Sequence, residues 1–207
     1  MIARNGLFIA FLTLAIATPR VHGGEITPEG KKLAAFYDGL KVESLWLPRE
    51  IVSWKTGTKL RDATDNKAHT HCSAFAAAAC LKKDVYLLRP PEHSSTLLAN
   101  AQYDWLNSKG KDKGWKPVAS AVDAQHAANR GHLVLATFKE SDPKKSGHIA
   151  LVRPSEKSEK QIAEEGPQII QAGMENANST TLKTGFKHHS KAFKDKLILF
   201  YVHELTW

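Results

Sequence analysis

The sequence has only two cysteines, Cys72 and Cys80, in 207 residues. If both lie on one helix, eight residues at a rise of 1.5 Å separate them by about 12 Å. A disulfide needs Cα atoms within about 7 Å, so the spacing excludes a disulfide between them and predicts two free thiols. A thiol that stays free in an oxidising compartment is usually functional or buried. We assign the functional role to Cys72 and burial to Cys80.

Long hydrophobic runs are also scarce. The one such run, residues 6–18, follows Arg4 and is broken by Pro19, and Gly23 offers a small residue for cleavage. This pattern predicts a signal peptide over residues 1–23, because 13 residues are too few for a comfortable transmembrane helix; an uncleaved anchor is the alternative. No other stretch approaches 18 apolar residues. Residues 24–207 are therefore expected to form a single domain, secreted or periplasmic, with no stable membrane insertion after cleavage.

The spacings typical of strong metal sites, Cys-x-x-Cys and His-Glu-x-x-His, are absent from the sequence. We therefore predict no metal and no other cofactor. A weaker set of thiol and imidazole groups, suited to zinc or copper, is formed by His69, His71 and Cys72 together with His148 or the pair His188-His189. A metal-binding protein remains an alternative on this ground.

The chain has 29 Lys and Arg against 21 Asp and Glu, a formal charge of +8. The predicted signal peptide contains Arg4, Arg20 and no acidic residue, so its removal leaves +6. Such a charge suits an anionic partner, for example a cell wall. The lysines are scattered and form neither a basic helix nor a motif with interleaved aromatic residues, so no nucleic acid partner is predicted.

Helical patterns come first along the chain and strand patterns follow. Helices are predicted over 28–46, 71–83, 94–108 and 119–130, and strands over 133–138, 148–152, 168–172 and 197–203. The segments 50–68, 109–117 and 153–166 read as loops. The connection 139–146 is too short for a crossover helix. The order therefore predicts an α+β fold with an antiparallel sheet.

Three residues in these elements have chemistry that fits a thiol hydrolase. Cys72 begins an alanine-rich helix, whose unpaired N–H groups and dipole are expected to lower the thiol pKa. His148 opens one predicted strand and Gln171 closes the next, which makes them neighbours across an antiparallel pair. A sheet packed on the helix would then bring His148 beside Cys72. Gln171 would orient the imidazole and fix its tautomer, with Asn176 and Asn178 as alternatives.

Four segments, in this order, resemble NlpC-like cysteine peptidases. His71-Cys72-Ser73-Ala74-Phe75 is similar to the Cys-Ser-x-Phe start of their catalytic helix. Residues 127–136, 147–152 and 169–173 resemble their first strand, their histidine strand and the strand after it, so that the resemblance covers roughly residues 68–203. The chain departs from the family in having His71 where Asp or Asn is frequent, and Gln171 where His is commoner.

The resemblance implies a papain-like α+β core whose catalytic-Cys helix packs on an antiparallel sheet. It implies hydrolysis of amide bonds in peptidoglycan stem peptides, with Cys72 as nucleophile, His148 as general base and Gln171 as the orienting residue. Backbone N–H groups near the helix start would hold the oxyanion, and Asn66 is a candidate side-chain donor. A stem-peptide cross-link, a lactyl-amide linkage and a non-wall peptide all fit as substrates. A non-catalytic cell-wall-binding module on the same fold is the other alternative.

Overall fold

The computed structural model describes residues 24–65 and 67–207. The predicted signal peptide, residues 1–23, and the candidate donor Asn66 lie outside the described residues. Within the described ranges, no helix has the length and apolar character needed to cross a membrane.

The described chain is a mixed α+β structure. Its helices are α1 Pro28–Gly39, α2 Cys72–Leu81, α3 Leu98–Ser108, α4 Ala121–Asn129, α5 Glu159–Glu165, α6 Leu182–Gly185 and α7 Ser190–Lys194. Its strands are β1 Glu50–Val52, β2 Lys59–Asp62, β3 Lys116–Val118, β4 Leu133–Phe138, β5 His148–Val152, β6 Gln168–Gln171, β7 Ala177–Thr181 and β8 Leu199–His203. Short 3-10 turns occupy Gly110–Lys113 and Lys187–His189.

Six strands form the main sheet, in the order β3-β8-β4-β5-β6-β7. Every neighbouring pair in it is antiparallel, and β1 and β2 form a separate antiparallel hairpin. The predicted α+β class and antiparallel sheet are therefore confirmed. The central strands β4 and β5 are buried at every residue because helices cover both faces of the sheet.

Two hydrophobic clusters lie on the two faces of the sheet. The first contains α2 together with Ile149 and Leu151 of β5. The second contains Ala150 and Val152 of the same strand, together with residues of α4, α6 and α7. This alternation is what a strand with both faces covered requires, since successive side chains point to opposite faces.

Helix α2 is buried along almost its whole length, from Cys72 to Cys80. Its alanines favour the helical conformation and carry only a methyl group. The small side chains let α2 pack closely on β5, as the sequence predicted. Cys72, the first residue of α2, thereby lies against Ile149 near the start of β5.

Several predicted boundaries were wrong. Helix α1 ends at Gly39 rather than near residue 46, and the chain turns at Lys41, whose φ is 52°. The predicted loop 50–68 contains the β1–β2 hairpin. The predicted loop 109–117 overlaps the start of β3, and the predicted loop 153–166 contains α5. The elements between Ala177 and Lys194, namely β7, α6 and α7, were not predicted.

Candidate functional site

Cys72 is the first residue of α2, as predicted, but its thiol is buried. Its side chain is 4% exposed and belongs to the first hydrophobic cluster. Burial raises the pKa of the Cys72 thiol, and hydrogen bonding by the backbone N–H groups of Ile149 and Ser73 offsets this only in part. The predicted lowering of the pKa by the helix start is therefore wrong in direction, because loss of hydration outweighs the helix end.

Cys80 lies deeper in the same cluster and is fully buried. Burial raises the pKa of its thiol to about 12. Both cysteines are free, which confirms the prediction that no disulfide joins them. Cys80 is thus a core residue, and it serves as an internal comparison for Cys72.

His148 and Gln171 are neighbours across β5 and β6, as predicted. The strand register pairs Leu151 with Ile170, so Gln171 lies diagonally across from His148 on the same face of the sheet. The Nε2 atom of His148 lies 2.8 Å from Oε1 of Gln171, and both side chains are buried. Strand β6 therefore places the Gln171 amide at hydrogen-bond distance from the His148 imidazole.

The Gln171 amide is oriented by a second hydrogen bond. Its Nε2 donates to the carbonyl oxygen of Glu175 at 3.1 Å, so its Oε1 faces His148 as an acceptor. His148 must then donate through Nε2–H, and in the neutral ring Nδ1 carries the lone pair. Burial lowers the pKa of His148, and the hydrogen bond to Gln171 opposes that shift. The ring is thus fixed as a neutral base with Nδ1 as its basic atom.

Two other rings pack on His148. Phe186 meets it edge-on, with ring centroids 4.7 Å apart. His189 stacks on it with centroids 6.1 Å apart and an angle of 18° between the planes. Sequence reasoning missed Phe186 altogether and considered His189 only as a metal ligand, because the surrounding residues were given no element.

Cys72 and His148 approach the sheet from different faces. The thiol packs with Ile149 in the first cluster, whereas the imidazole contacts Phe186 of the second. The thiol lies beside the Ile149 backbone N–H, the peptide that directly follows His148. Across the described residues, the imidazole makes its hydrogen bond to Gln171 and none to the Cys72 thiol. The structure brings the two residues to the same strand end without forming the predicted contact.

The alternatives to Gln171 have other roles. Asn176 donates to the carbonyl oxygens of Val42, Leu45 and Trp46 at 2.7, 2.8 and 3.2 Å. Asn178 donates to Asp38 at 2.7 Å. Asn176 fastens the loop before β7 to the segment that follows α1, and Asn178 joins β7 to α1 itself. Within the described residues, neither asparagine hydrogen-bonds to His148.

The histidines before Cys72 point away from the thiol. His69 bonds Asp65, and the Nε2 of His71 lies 3.0 Å from the carbonyl oxygen of Glu50 in β1. Among residues 24–65 and 67–207, no group of three or more His, Cys, Asp or Glu side chains is arranged to hold a metal ion. The metal-binding alternative therefore has no site in that part of the chain.

A cavity of about 150 Å³ opens beside the His148–Gln171 pair. It reaches Thr70, two residues before Cys72, and is also lined by residues from the loop after β6 and from the turn before α7. Cys72 itself does not line it. The cavity gives a small polar group access to His148 near the start of α2.

Comparison with known proteins adds no assignment. No protein-family model matches the chain, and no curated protein matches it significantly.

Proposed function

We propose that the protein is an exported cysteine amidase or endopeptidase that hydrolyses amide bonds in peptidoglycan stem peptides. Cys72 is the nucleophile, His148 the general base and Gln171 the residue that orients the base. The observation that carries the proposal is the 2.8 Å hydrogen bond from His148 to Gln171, at the end of β5 that borders the first residue of α2. The papain-like arrangement implied by the sequence resemblance is part of the same proposal.

The tautomer of His148 supports its role as a base. With Nε2–H donated to Gln171, the lone pair on Nδ1 is free to accept a proton. A buried thiol with a raised pKa and a buried imidazole with a lowered pKa both favour the neutral forms. The thiol is therefore activated during attack, by proton transfer to His148, rather than stored as a thiolate.

In this proposal, the hydrogen bond between the Cys72 thiol and the His148 imidazole forms as the transition state is approached. Catalytic hydrogen bonds are often long or poorly aligned before substrate binds and tighten in the reacting complex. The proposal requires the Cys72 side chain to rotate toward the His148 ring, which Gln171 and Phe186 hold in place.

The reaction then proceeds in two halves. The Cys72 thiol gives its proton to Nδ1 of His148, and the sulfur attacks the amide carbonyl carbon. The backbone N–H of Cys72, among the unpaired donors of the helix start, stabilises the oxyanion. The C–N bond breaks as the imidazolium protonates the departing amine, which leaves a thioester. A water molecule gives a proton to His148 and attacks the thioester; the C–S bond breaks, and the sulfur regains its proton.

Mass spectrometry of purified muropeptides tests this function. Residues 24–207 are expected to cleave an amide bond, and Cys72→Ala is expected to abolish cleavage. Cys80→Ala is the matched control, because Cys80 is a fully buried cysteine on the same helix. Absence of cleavage by the wild type, or equal cleavage by Cys72→Ala, would contradict the proposal.

A second candidate is a non-catalytic wall-binding module. The burial of Cys72 and the missing bond to His148 favour it. It predicts cell-wall retention that Cys72→Ala leaves unchanged, and no alkylation of Cys72 by iodoacetamide near neutral pH. The enzyme is favoured if iodoacetamide alkylates Cys72 in the folded Cys80→Ala protein and His148→Gln abolishes that alkylation.

A further inference from the structure

His189 is the residue of the His148 environment that the proposed mechanism does not use. It ends the 3-10 turn Lys187–His189, directly before α7. Its ring lies nearly parallel to that of His148, at 6.1 Å and 18°, and also packs on Phe138 at 5.4 Å. Phe138 faces His148 across the β4–β5 pair. Two imidazoles are thus packed together against the same strand pair.

A carboxylate holds the second imidazole from behind. The Nδ1 atom of His189 lies 3.6 Å from Oε2 of Glu140, in the segment after β4. The other carboxylate oxygen of Glu140 accepts hydrogen bonds from the backbone N–H and hydroxyl of Ser141, at 2.9 and 3.2 Å. Glu140 is therefore itself fixed in position, and it points its charge at the outer ring of the pair.

We propose that His189, held by Glu140, is a positioning residue that fixes the plane of the His148 ring and couples its protonation to that of a second imidazole. The stacked ring restricts rotation of His148, and a proton on either ring repels a proton on the other. Glu140 supplies the negative charge that lets the outer ring accept a proton at all. This inference rests on the proposed amidase reaction, in which His148 is the base. The coupling keeps His148 neutral as the pH falls, because the outer ring takes the first proton.

The other charged groups near the pair are few. Burial lowers the pKa of His189, the nearby His148 lowers it further, and Glu140 opposes both. His188 adds a smaller effect of the same sign as His148. The ammonium of Lys187 is paired with Glu175. Gln171, on the remaining side of His148, carries no charge.

The size of the coupling follows from the separation. Two unit charges about 6 Å apart shift each other's pKa by about 0.5 to 2 units, between the dielectric of water and that of a protein surface. Groups that interact this strongly titrate as a pair, in two macroscopic steps. The His148 ring should report both steps, because its neighbour changes charge about 6 Å away.

NMR titration of ¹³Cε1-labelled histidines tests the proposal without any substrate. The His148 signal, assigned by its loss in His148→Gln, is expected to shift in two steps in the wild type and in one step in His189→Phe. Glu140→Gln is expected to move the upper step, in which the outer ring takes its proton, to more acidic pH by about 0.5 unit or more. His188→Gln is the matched control from the same turn and is expected to keep two steps.

One outcome overturns the proposal: a His148 titration curve that is the same in the wild type and in folded His189→Phe. Should the phenylalanine variant unfold, His189→Gln gives the same comparison with a smaller side chain. A failure to cleave muropeptides would overturn the proposed function and leave this titration readable. The two inferences can therefore fail separately.

Discussion

The imidazole of His148 and the amide of Gln171 share a buried hydrogen bond of 2.8 Å between Nε2 and Oε1. The histidine is the donor. The Gln171 amide nitrogen donates to the carbonyl of Glu175, so its oxygen faces His148 as the acceptor. A neutral acceptor orients the ring without strongly favouring the imidazolium, unlike a carboxylate. With a buried Cys72 thiol nearby, the resting state is a neutral pair.

Charge at position 171 should therefore control the pKa of His148. Gln171→Glu places a carboxylate at hydrogen-bond distance and is expected to raise the His148 pKa by about 1 to 3 units. NMR titration of the labelled ring measures the shift. Gln171→Leu is the uncharged comparison; it leaves Nε2–H buried without an acceptor and is expected to cost about 1–3 kcal/mol in the free energy of unfolding. An unchanged His148 pKa in folded Gln171→Glu would contradict the orienting contact.

Gly147 is expected to be irreplaceable at the start of β5. A Cβ there would lie 2.0 Å from the carbonyl oxygen of Phe138 and 2.7 Å from Oδ1 of Asn100. Asn100 also accepts the backbone N–H of Gly147 at 2.8 Å, so relief of the clash breaks that bond. Gly147→Ala is expected to lower the free energy of unfolding by about 1–3 kcal/mol and to displace His148.

Gly39 provides the matched control for that substitution. It is exposed in the last turn of α1, and an added Cβ meets no atom within 4 Å. Gly39→Ala is expected to raise the free energy of unfolding by about 0.5–1 kcal/mol, because alanine loses less backbone entropy on folding. Urea unfolding of both variants makes the comparison, and equal effects would contradict the clash.

Asn176 should contribute to stability and not to the chemistry of His148. Asn176→Ala removes the donors to three carbonyl groups of the segment after α1, and is expected to cost about 1–3 kcal/mol. Asn178→Ala loses a contact with an exposed carboxylate and is expected to cost less than about 1 kcal/mol. A His148 titration curve changed by Asn176→Ala would restore Asn176 as a candidate orienting residue.

The elements around the site could be predicted where sequence and burial agree. Helix α2 is marked by its alanines, and β4 and β5 by unbroken apolar runs. Strand β7 was missed because Ala177–Thr181 is a polar edge strand with no buried residue. Helix α5 has a signal that was overlooked, the capping box between Ser158 and Gln161.

The face of the sheet on which His148 lies could not be read from order along the chain. A strand alternates its side chains, so a shift of one residue would turn the ring from the second cluster to the first. Burial on both faces removes the polar–apolar alternation that would have fixed this register. The contact of His148 with Gln171 could be predicted despite that ambiguity because both lie on the same face. That Cys72 and the His148 ring pack in different clusters could not be predicted.

Acid should destabilise the fold through the histidines whose pKa is lowered by burial or partial burial. Burial lowers the pKa of His148 and of His71 in the folded protein, so below about pH 6.5 the unfolded chain binds protons that the folded chain does not. Stability is then complete above the unfolded pKa and is lost as the pH falls from there toward the folded pKa. Each such histidine contributes a slope of at most about 1.4 kcal/mol per pH unit.

Urea unfolding between pH 5.5 and 8.0 measures this loss. This range stays above the ordinary pKa values of Asp and Glu, so that histidines dominate the slope. His148→Gln is expected to reduce the slope below pH 6.5 and to leave the pH dependence above pH 7.5 as in the wild type, because both forms of the histidine are neutral there. A slope unchanged by the substitution would mean that the imidazole of His148 accepts a proton in the folded protein as readily as in the unfolded chain, which its burial against Phe186 and Gln171 opposes.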